Sequence, residues 1–87
     1  MSTHKDQEFL EYMAKSIVSK PEEVKVERIV DEMGVLLILT VDQEDVSKVI
    51  GKEGRTAKAM RLMLKTVGYM NKVRANLKIN APLIDKK

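Results

Sequence analysis

The sequence predicts an α+β fold with the element order α-β-β-α-α-β, in which three helices cover one side of a three-stranded mixed sheet. Apolar residues recur at helical spacing near the start of the chain and again after residue 55. Runs of β-branched or alternating apolar residues, typical of strands, lie between these segments and after the second one. With 87 residues the chain can form one hydrophobic core, so we expect a single domain.

The first half of the chain contains a predicted helix followed by a predicted β-hairpin. Residues 7–19 place their apolar side chains on one helical face, and Pro21 ends that pattern. Residues 23–30 alternate as a strand, although Arg28 interrupts the apolar side, and residues 35–41 form a second β-branched run. The intervening residues have the composition of a turn, so the two strands are expected to pair as a hairpin.

The second half contains two predicted helices and a third strand. Asp42 is a suitable N-cap for a short helix, Asp45 lies near a capping-box position, and Gly51 ends the helix. A longer helix is predicted from residue 55 to about 69, and residues 72–80 alternate apolar and polar side chains as a strand does. The two helices form a crossover that would make the second and third strands parallel if they are neighbours.

These elements place one domain at residues 7–80. Residues 1–6 are polar and are predicted to be a flexible N-terminal tail. Residues 81–87 show no periodicity and are predicted to be a C-terminal tail.

Charge is distributed very unevenly along the chain, although the formal net charge is only +3. Residues 1–45 carry 5 Lys/Arg against 11 Asp/Glu, a balance of −6, whereas residues 46–87 carry 11 against 2, a balance of +9. Such asymmetry indicates a surface that binds a polyanion, or else a solvated surface on which charges are unevenly placed.

Several classes of protein are disfavoured by the composition. The chain has no cysteine, which excludes disulfides and thiolate chemistry and is typical of a reducing compartment, so a cytoplasmic protein is expected. It has no apolar run of about 18 residues or more, so neither export nor a membrane span is expected. His4 lies in the predicted tail, where neither a metal site nor acid-base catalysis is expected. Helix capping accounts for Asp42 and Asp45, so these carboxylates do not indicate a metal or catalytic site. We expect no catalytic residue, no metal site and no cofactor.

The most informative motif is the loop Gly51-Lys52-Glu53-Gly54, which lies between the two predicted helices of the crossover. Glycines allow another backbone to approach closely, and the amide groups that open the following helix favour a phosphate. Lys52 and Arg55 add positive charge at the same place. The alternative interpretation is a helix C-cap at Gly51 followed by an ordinary turn.

In this setting the motif resembles the KH family, whose GXXG loop clamps the backbone of about four nucleotides. The element order is that of the type II arrangement, and the segment from Val49 to Thr56 is similar to the small bacterial single-domain KH proteins of the KhpA type. The resemblance implies that Ile50 forms the floor of a groove for bases between the GXXG helices and the edge of the sheet. Glu53 departs from many KH loops, and its carboxylate should weaken phosphate attraction. The expected RNA-binding residues are Lys48, Ile50, Gly51, Lys52, Glu53, Gly54, Arg55 and Lys58.

The resemblance implies a protein that binds single-stranded RNA and acts as an RNA chaperone or post-transcriptional regulator. The alternative is a protein-interaction adaptor that acts through an apolar helix face. Lys58, Arg61 and Lys65 either extend the phosphate-binding surface or form a solvated helix face. None of the aromatic residues lies in the predicted groove, so a base-stacking platform is not expected.

The long helix has a second apolar strip beside the face expected to pack on the sheet. The packing face is predicted to contain Ala57, Met60, Leu64 and Val67. The strip either contacts the first helix or the C-terminal tail, or pairs with a second copy or a related KH protein, as the resemblance also implies. The predicted dimer-interface residues are Ala59, Leu62, Met63, Thr66 and Met70.

Overall fold

The computed structural model describes residues 4–80 and confirms the predicted order α-β-β-α-α-β. Three short 3₁₀ turns precede β1, α2 and α3. The helices are α1 (Lys5–Ile17), α2 (Val46–Ile50) and α3 (Arg55–Met70), and the strands are β1 (Lys25–Asp31), β2 (Gly34–Thr40) and β3 (Ala75–Ile79).

The sheet is mixed, with β2 between β1 and β3. β1 and β2 form an antiparallel hairpin in which Asp31 is opposite Gly34 across a two-residue turn. β3 is parallel to β2, as the two-helix crossover requires, with Val35 opposite Ala75. β3 is therefore an edge strand, and its free side lies next to α3, the helix with which it makes its main helical contacts.

The core lies between the helices and one face of the sheet. Val35, Leu37 and Leu39 alternate along β2 and are buried on that face. They pack in one cluster with Leu10 of α1 and Leu64 of α3, both fully buried. Burial of each leucine contributes about 1.5–3 kcal/mol, so this cluster fixes the position of α3 relative to the sheet.

The first helix begins at Lys5, two residues before the predicted start at residue 7. Asp6 in its first turn is buried, and its Oδ1 accepts a hydrogen bond from Nε of Arg28 at 3.2 Å. This ion pair, in which Arg28 is half-buried, also explains why Arg28 interrupts the apolar side of β1. The remaining residues of the predicted tails, 1–3 and 81–87, lie outside the described residues.

Asp45 does not act as a helix cap, contrary to the sequence-based interpretation. It is completely buried, and its carboxylate accepts hydrogen bonds from the backbone N–H groups of Ser19 and Lys20, each at 3.0 Å. Asp42 caps as predicted, although the element it caps is the 3₁₀ turn before α2, where it accepts from the backbone N–H of Glu44. Asp45 therefore connects the segment after α1 to the start of α2.

The face of α3 that packs on the sheet differs from the prediction at one position. Ala57, Met60 and Leu64 are buried as expected, but Gly68 replaces the half-buried Val67 as the fourth buried residue. A methyl group at Gly68 would lie 2.8 Å from the carbonyl oxygen of Val73, which shows how closely the end of α3 approaches the start of β3. Within residues 4–80, no helix is long and apolar enough to cross a membrane.

Candidate nucleic-acid interface

The first glycine of the loop has a conformation that only glycine adopts readily. Gly51 follows α2 with φ 79° and ψ 173°, a region essentially restricted to glycine. A Cβ atom at this position would lie 2.2 Å from Oγ1 of Thr56 and 2.8 Å from its backbone nitrogen. Gly51 thus allows the end of α2 to lie directly against the first turn of α3.

The second glycine has a different environment. Gly54 has left-handed φ 75° and ψ 13°, and a Cβ atom there would have no neighbour within 4 Å. The fold therefore leaves open space above Gly54, next to the groove described below. This is the open approach that a backbone-binding loop needs.

The two residues between the glycines are exposed, and Glu53 has an unusual backbone. Glu53 has φ 55° and ψ 26°, a left-handed conformation that is uncommon for a residue other than glycine. Its carboxylate lies 3.5 Å from the guanidinium of Arg55, and both side chains are largely exposed. This exposed contact partly neutralises the carboxylate of Glu53, which was expected to weaken the attraction of the loop for phosphate.

A groove runs from the loop along α3 and the free edge of β3. Its apolar part is supplied by Ile50, Leu77 and Ile79, and its basic part by cationic side chains of α3 and β3. No carboxylate is among the described residues that line it. The lining residues are Ile50, Gly54, Ala57, Lys58, Arg61, Leu77, Lys78 and Ile79.

Two basic residues of this groove were not in the predicted set. Arg61 follows Lys58 at helical spacing on the same face of α3, and the sequence left its role open. Lys78 was missed, although its alternation in β3 places it on the outward face of an edge strand. Its position beside α3 depends on the strand order, which the periodicity of β3 does not reveal.

Lys48, which was predicted to bind RNA, instead contacts Asp45 and Ser19. Its Nζ atom lies 3.3 Å from Oδ1 of the buried Asp45 and donates a hydrogen bond to the hydroxyl of Ser19. Lys48 is not among the residues that line the groove. The structure thus brings together Ile50, Gly54 and Lys58, with Lys52, Glu53 and Arg55 in the adjoining loop and turn, and places Lys48 beside Asp45.

The second apolar strip of α3 is exposed. α1 packs against α3 but leaves Leu62, Met63 and Met70 with 65%, 44% and 72% of their surface accessible. Ala59 and Thr66 are also exposed. Within residues 4–80, the first helix therefore does not cover this strip.

A mixed β1-β2-β3 sheet, a two-helix crossover interrupted by Gly51 and Gly54, and a groove beside β3 together define a KH domain of the type II arrangement. A family model described as KhpA/KhpB, KH domain, matches residues 7–79. The chain belongs to this KH-domain family.

Relatives from several bacteria share much of the sequence. RNA-binding protein KhpA of Chlamydia pneumoniae is 43% identical over 72 residues, which are 83% of this chain and 92% of the relative. RNA-binding protein KhpA of Clostridium perfringens is 42% identical over 77 residues, 88% of this chain and 97% of the relative. RNA-binding protein KhpA of Treponema pallidum is 39% identical over 74 residues, 85% of this chain and 92% of the relative.

Proposed function

We propose that this chain binds single-stranded RNA, with the loop from Gly51 to Gly54 against the sugar-phosphate backbone and the bases in the groove beside β3. The observation that carries the proposal is the opening of this loop, at Gly54, onto a groove with an apolar floor and a basic rim. Apolar surface suits the faces of unstacked bases, and cations on the rim suit phosphates.

The loop and the groove divide the recognition between them. The open space at Gly54 admits a phosphate close to the main chain, and Lys52 and Arg55 provide positive charge on either side of it. Ile50, Leu77 and Ile79 offer surfaces that contact any base without reading its edge. Such contacts favour binding with little sequence preference.

The names of the relatives support this proposal, since each relative reported above is called an RNA-binding protein. We infer that the chain is a binding module without catalysis, that it acts in the cytoplasm, and that its role is that of an RNA chaperone or post-transcriptional regulator. Recovery of crosslinked RNA from cells would identify the targets.

The proposal is tested by a charge change in the loop. Replacing both Lys52→Asp and Glu53→Asp changes the net charge by −2 next to the proposed phosphate, while aspartate tolerates the left-handed conformation at position 53 better than glutamate does. We expect the affinity for single-stranded RNA to fall about tenfold or more, with an unchanged helical circular dichroism spectrum.

Lys15→Glu is the matched control, because it also changes the net charge by −2 but lies on exposed α1, away from the groove. It should leave RNA affinity within about twofold of the parent, since long-range charge is screened beyond about 10 Å. A folded loop variant that binds RNA as well as the parent would remove the proposed function.

We further propose that the exposed strip of α3 pairs with a second copy of the chain, or with another KH-domain protein. The proposal is supported by three large apolar side chains left exposed on one helix face, an arrangement more often covered than wet. The family description, which joins KhpA and KhpB, is in keeping with a related partner. Two grooves on one particle would bind a long RNA more tightly through avidity.

The exposed strip is also what favours the second candidate function, a protein-interaction adaptor. An adaptor would keep its partner after the loop variant has lost RNA binding. If association instead serves RNA binding, both the loop variant and a variant in the exposed strip should lose activity in cells.

A further inference from the structure

A second, larger cleft lies on the same side of the molecule as the proposed RNA groove. It is formed by the C-terminal half of α3 and the start of β3, and its volume is about 780 Å³, against about 380 Å³ for the groove at the loop. None of the described residues that line it is acidic. Its polar lining residues are Lys65, Tyr69, Lys72, Arg74 and Asn76.

The cleft and the groove share the same two walls. On α3, Lys58 and Arg61 line the groove, and Lys65 and Tyr69 continue the same helical face into the cleft at spacings of three or four residues. On β3, Lys78 lines the groove and Asn76, which lies on the same face of the strand, lines the cleft. A strand that leaves the groove away from the loop therefore enters the cleft directly.

The cations of the cleft differ in their ion pairing from those of the first half of the chain. Within residues 4–80, Lys65, Lys72 and Arg74 form no ion pair, whereas Lys15 and Lys20 of the acidic first half are paired with carboxylates at 2.9–3.6 Å. Unpaired cations that converge on a concave surface attract an anion.

Tyr69 supplies an aromatic surface at this place. It is 80% exposed at the end of α3, and it lines the cleft beside these cations. An exposed aromatic ring next to phosphate-binding cations is the arrangement that proteins use to stack a base of a single strand. The sequence-based expectation that no aromatic residue serves as a stacking platform took into account only the groove near the loop.

The backbone at Lys72 provides an independent indication. Lys72 has φ 63° in the turn that closes α3, where Val73 N–H donates to the carbonyl of Gly68 at 2.8 Å and Lys72 N–H to that of Tyr69 at 3.1 Å. Glycine is the usual residue at this position of such a helix ending, because other residues are strained there. Strained residues of this kind cluster at ligand sites, and Lys72 lines the cleft.

We propose that this cleft, which we call the distal subsite, binds the nucleotides that follow the RNA segment held at the Gly51–Gly54 loop. Tyr69 stacks on a base, and Lys65, Lys72 and Arg74 contact the flanking phosphates. This proposal rests on the proposed function, because the distal subsite extends the same groove. The domain then holds a longer strand than the four or so nucleotides of a KH groove.

The test uses three unstructured RNA oligonucleotides and the full chain labelled with ¹⁵N. One RNA is about four nucleotides long and fills only the groove; the others add about four nucleotides at the 5′ or at the 3′ end. The short RNA should shift the amide signals of the loop and the groove, including those of Gly51 and Gly54, and should leave the amides from Lys72 to Asn76 unchanged. Because the distal subsite lies at one end of the groove, only one of the two extensions should also shift the amides from Lys72 to Asn76 and raise the affinity, by about tenfold.

The double variant Tyr69→Ala, Lys72→Gly removes the aromatic ring and one cation of the distal subsite and leaves the groove residues unchanged. Glycine relieves the strained backbone at position 72, so the variant should remain folded. It should bind the short RNA like the parent and lose most of the gain from the extension. Tyr12→Ala, which removes a similarly exposed tyrosine from α1, should keep that gain.

The outcomes separate this inference from the proposed function. If the short RNA binds and neither extension adds affinity or shifts the Lys72–Asn76 amides, the distal subsite is refuted while the RNA groove stands. If no RNA binds, both proposals fail. A double variant that is folded but changes its sedimentation without RNA would assign the cleft to an interface between chains, and this would also overturn the subsite.

Discussion

At the scale of single residues, Asp45 connects two segments that are far apart in the sequence. It is buried at the start of α2, and its two oxygens accept the backbone N–H groups of Ser19 and Lys20. The hydrogen bond from Ser19 is the largest cause that holds the pKa of Asp45 below its usual value, against the opposing effect of burial. The ionised carboxylate is therefore the form that stabilises the fold.

Replacing Asp45→Asn should lower Tm by about 5 °C or more at pH 7, because one of the two N–H groups would then face an amide donor. A carboxyl group whose pKa is lower in the folded than in the unfolded chain stabilises the fold at pH values above its unfolded pKa, about 3.9 for aspartate. This stabilisation is lost as the pH falls through the pKa of the folded state. The difference in Tm between parent and variant should accordingly shrink below about pH 4.

Thermal denaturation followed by circular dichroism between neutral pH and pH 2.5 measures this difference. Glu44→Gln, at a neighbouring exposed carboxylate, is the control and should change Tm little at any pH. A Tm difference for Asp45→Asn that stays constant down to pH 2.5 would show that ionisation of Asp45 does not matter.

The roles of individual polar residues were the least predictable part of the sequence. The glycine loop could be located because its chemistry is local. Asp45, Arg28 and Lys48 could not be assigned correctly, because each forms a hydrogen bond with a residue more than twenty positions away in the sequence. Tyr69 was not considered as an RNA contact, because it lies far along α3 from the loop, although it shares a helix face with Lys58 and Arg61 of the groove.

At the scale of elements, α3 presents three different surfaces. One packs on the sheet through residues such as Met60 and Leu64, and a second lines the groove and the distal subsite with Lys58, Arg61 and Lys65. The third is the exposed apolar strip around Leu62 and Met63. The helix would therefore join the core, the RNA and a second chain.

Met63→Asp should convert a dimeric parent into a folded monomer, because a carboxylate in the centre of an apolar interface would be buried without a partner. Sedimentation at tens of micromolar, with circular dichroism as a check on folding, measures the change. Met33→Asp, at an equally apolar and more exposed methionine in the β1–β2 turn, is the control and should leave association unchanged.

A parent that sediments as a monomer at these concentrations would contradict the association through α3. So would a Met63→Asp variant that still forms dimers.

The elements themselves were well predicted by hydrophobic periodicity, but their ends were not. The order and type of the six predicted helices and strands are confirmed, because most of them show a period of two or of about 3.6 residues and β2 lies in a β-branched run. β3 begins at Ala75 rather than at residue 72, because Lys72 adopts a left-handed conformation that ends α3. Tertiary contacts decide where such elements end, and these contacts cannot be read from the sequence of one segment.

At the scale of the whole molecule, the fold separates the charges that the sequence already distributes unevenly. Three of the five cations of the first half make ion pairs, namely Lys15 with Glu11 at 2.9 Å, Lys20 with Asp42 at 3.6 Å and Arg28 with Asp6 at 3.2 Å. Asp42 is the main cause that raises the pKa of Lys20. Within residues 4–80 the cations beside α3 and β3, Lys58, Arg61 and Lys78, form no such pairs. A polyanion-binding surface accounts for this arrangement better than an uneven solvated surface does.

The salt dependence of RNA binding should report on this surface. If about three or four phosphates are neutralised by Lys52, Arg55, Lys58 and Arg61, log K should fall with log salt with a slope of roughly −2 to −3 on a single strand. Lys58→Ala should make the slope shallower by about 0.7. Lys48→Ala should change it less, because Lys48 is already paired with Asp45.

Fluorescence anisotropy with a short labelled RNA at several salt concentrations measures these slopes. Retained binding with a slope near zero would mean that the basic side of α3 and β3 is not the RNA surface. If Lys48→Ala and Lys58→Ala changed the slope equally, this would contradict the expectation that Lys58 contacts RNA and Lys48 does not.

The parallel pairing of β2 with β3 also has a consequence for the order in which the chain folds. The hairpin pairs Val30 with Val35 across a tight turn, whereas Val35 pairs with Ala75 only after both crossover helices are in place. Closing such a long loop costs more entropy than closing a hairpin, so β3 should join the sheet late in folding. Since the proposed RNA groove lies between α3 and β3, a chain in which β3 has not joined the sheet would lack this groove. RNA binding would therefore begin only when folding is complete.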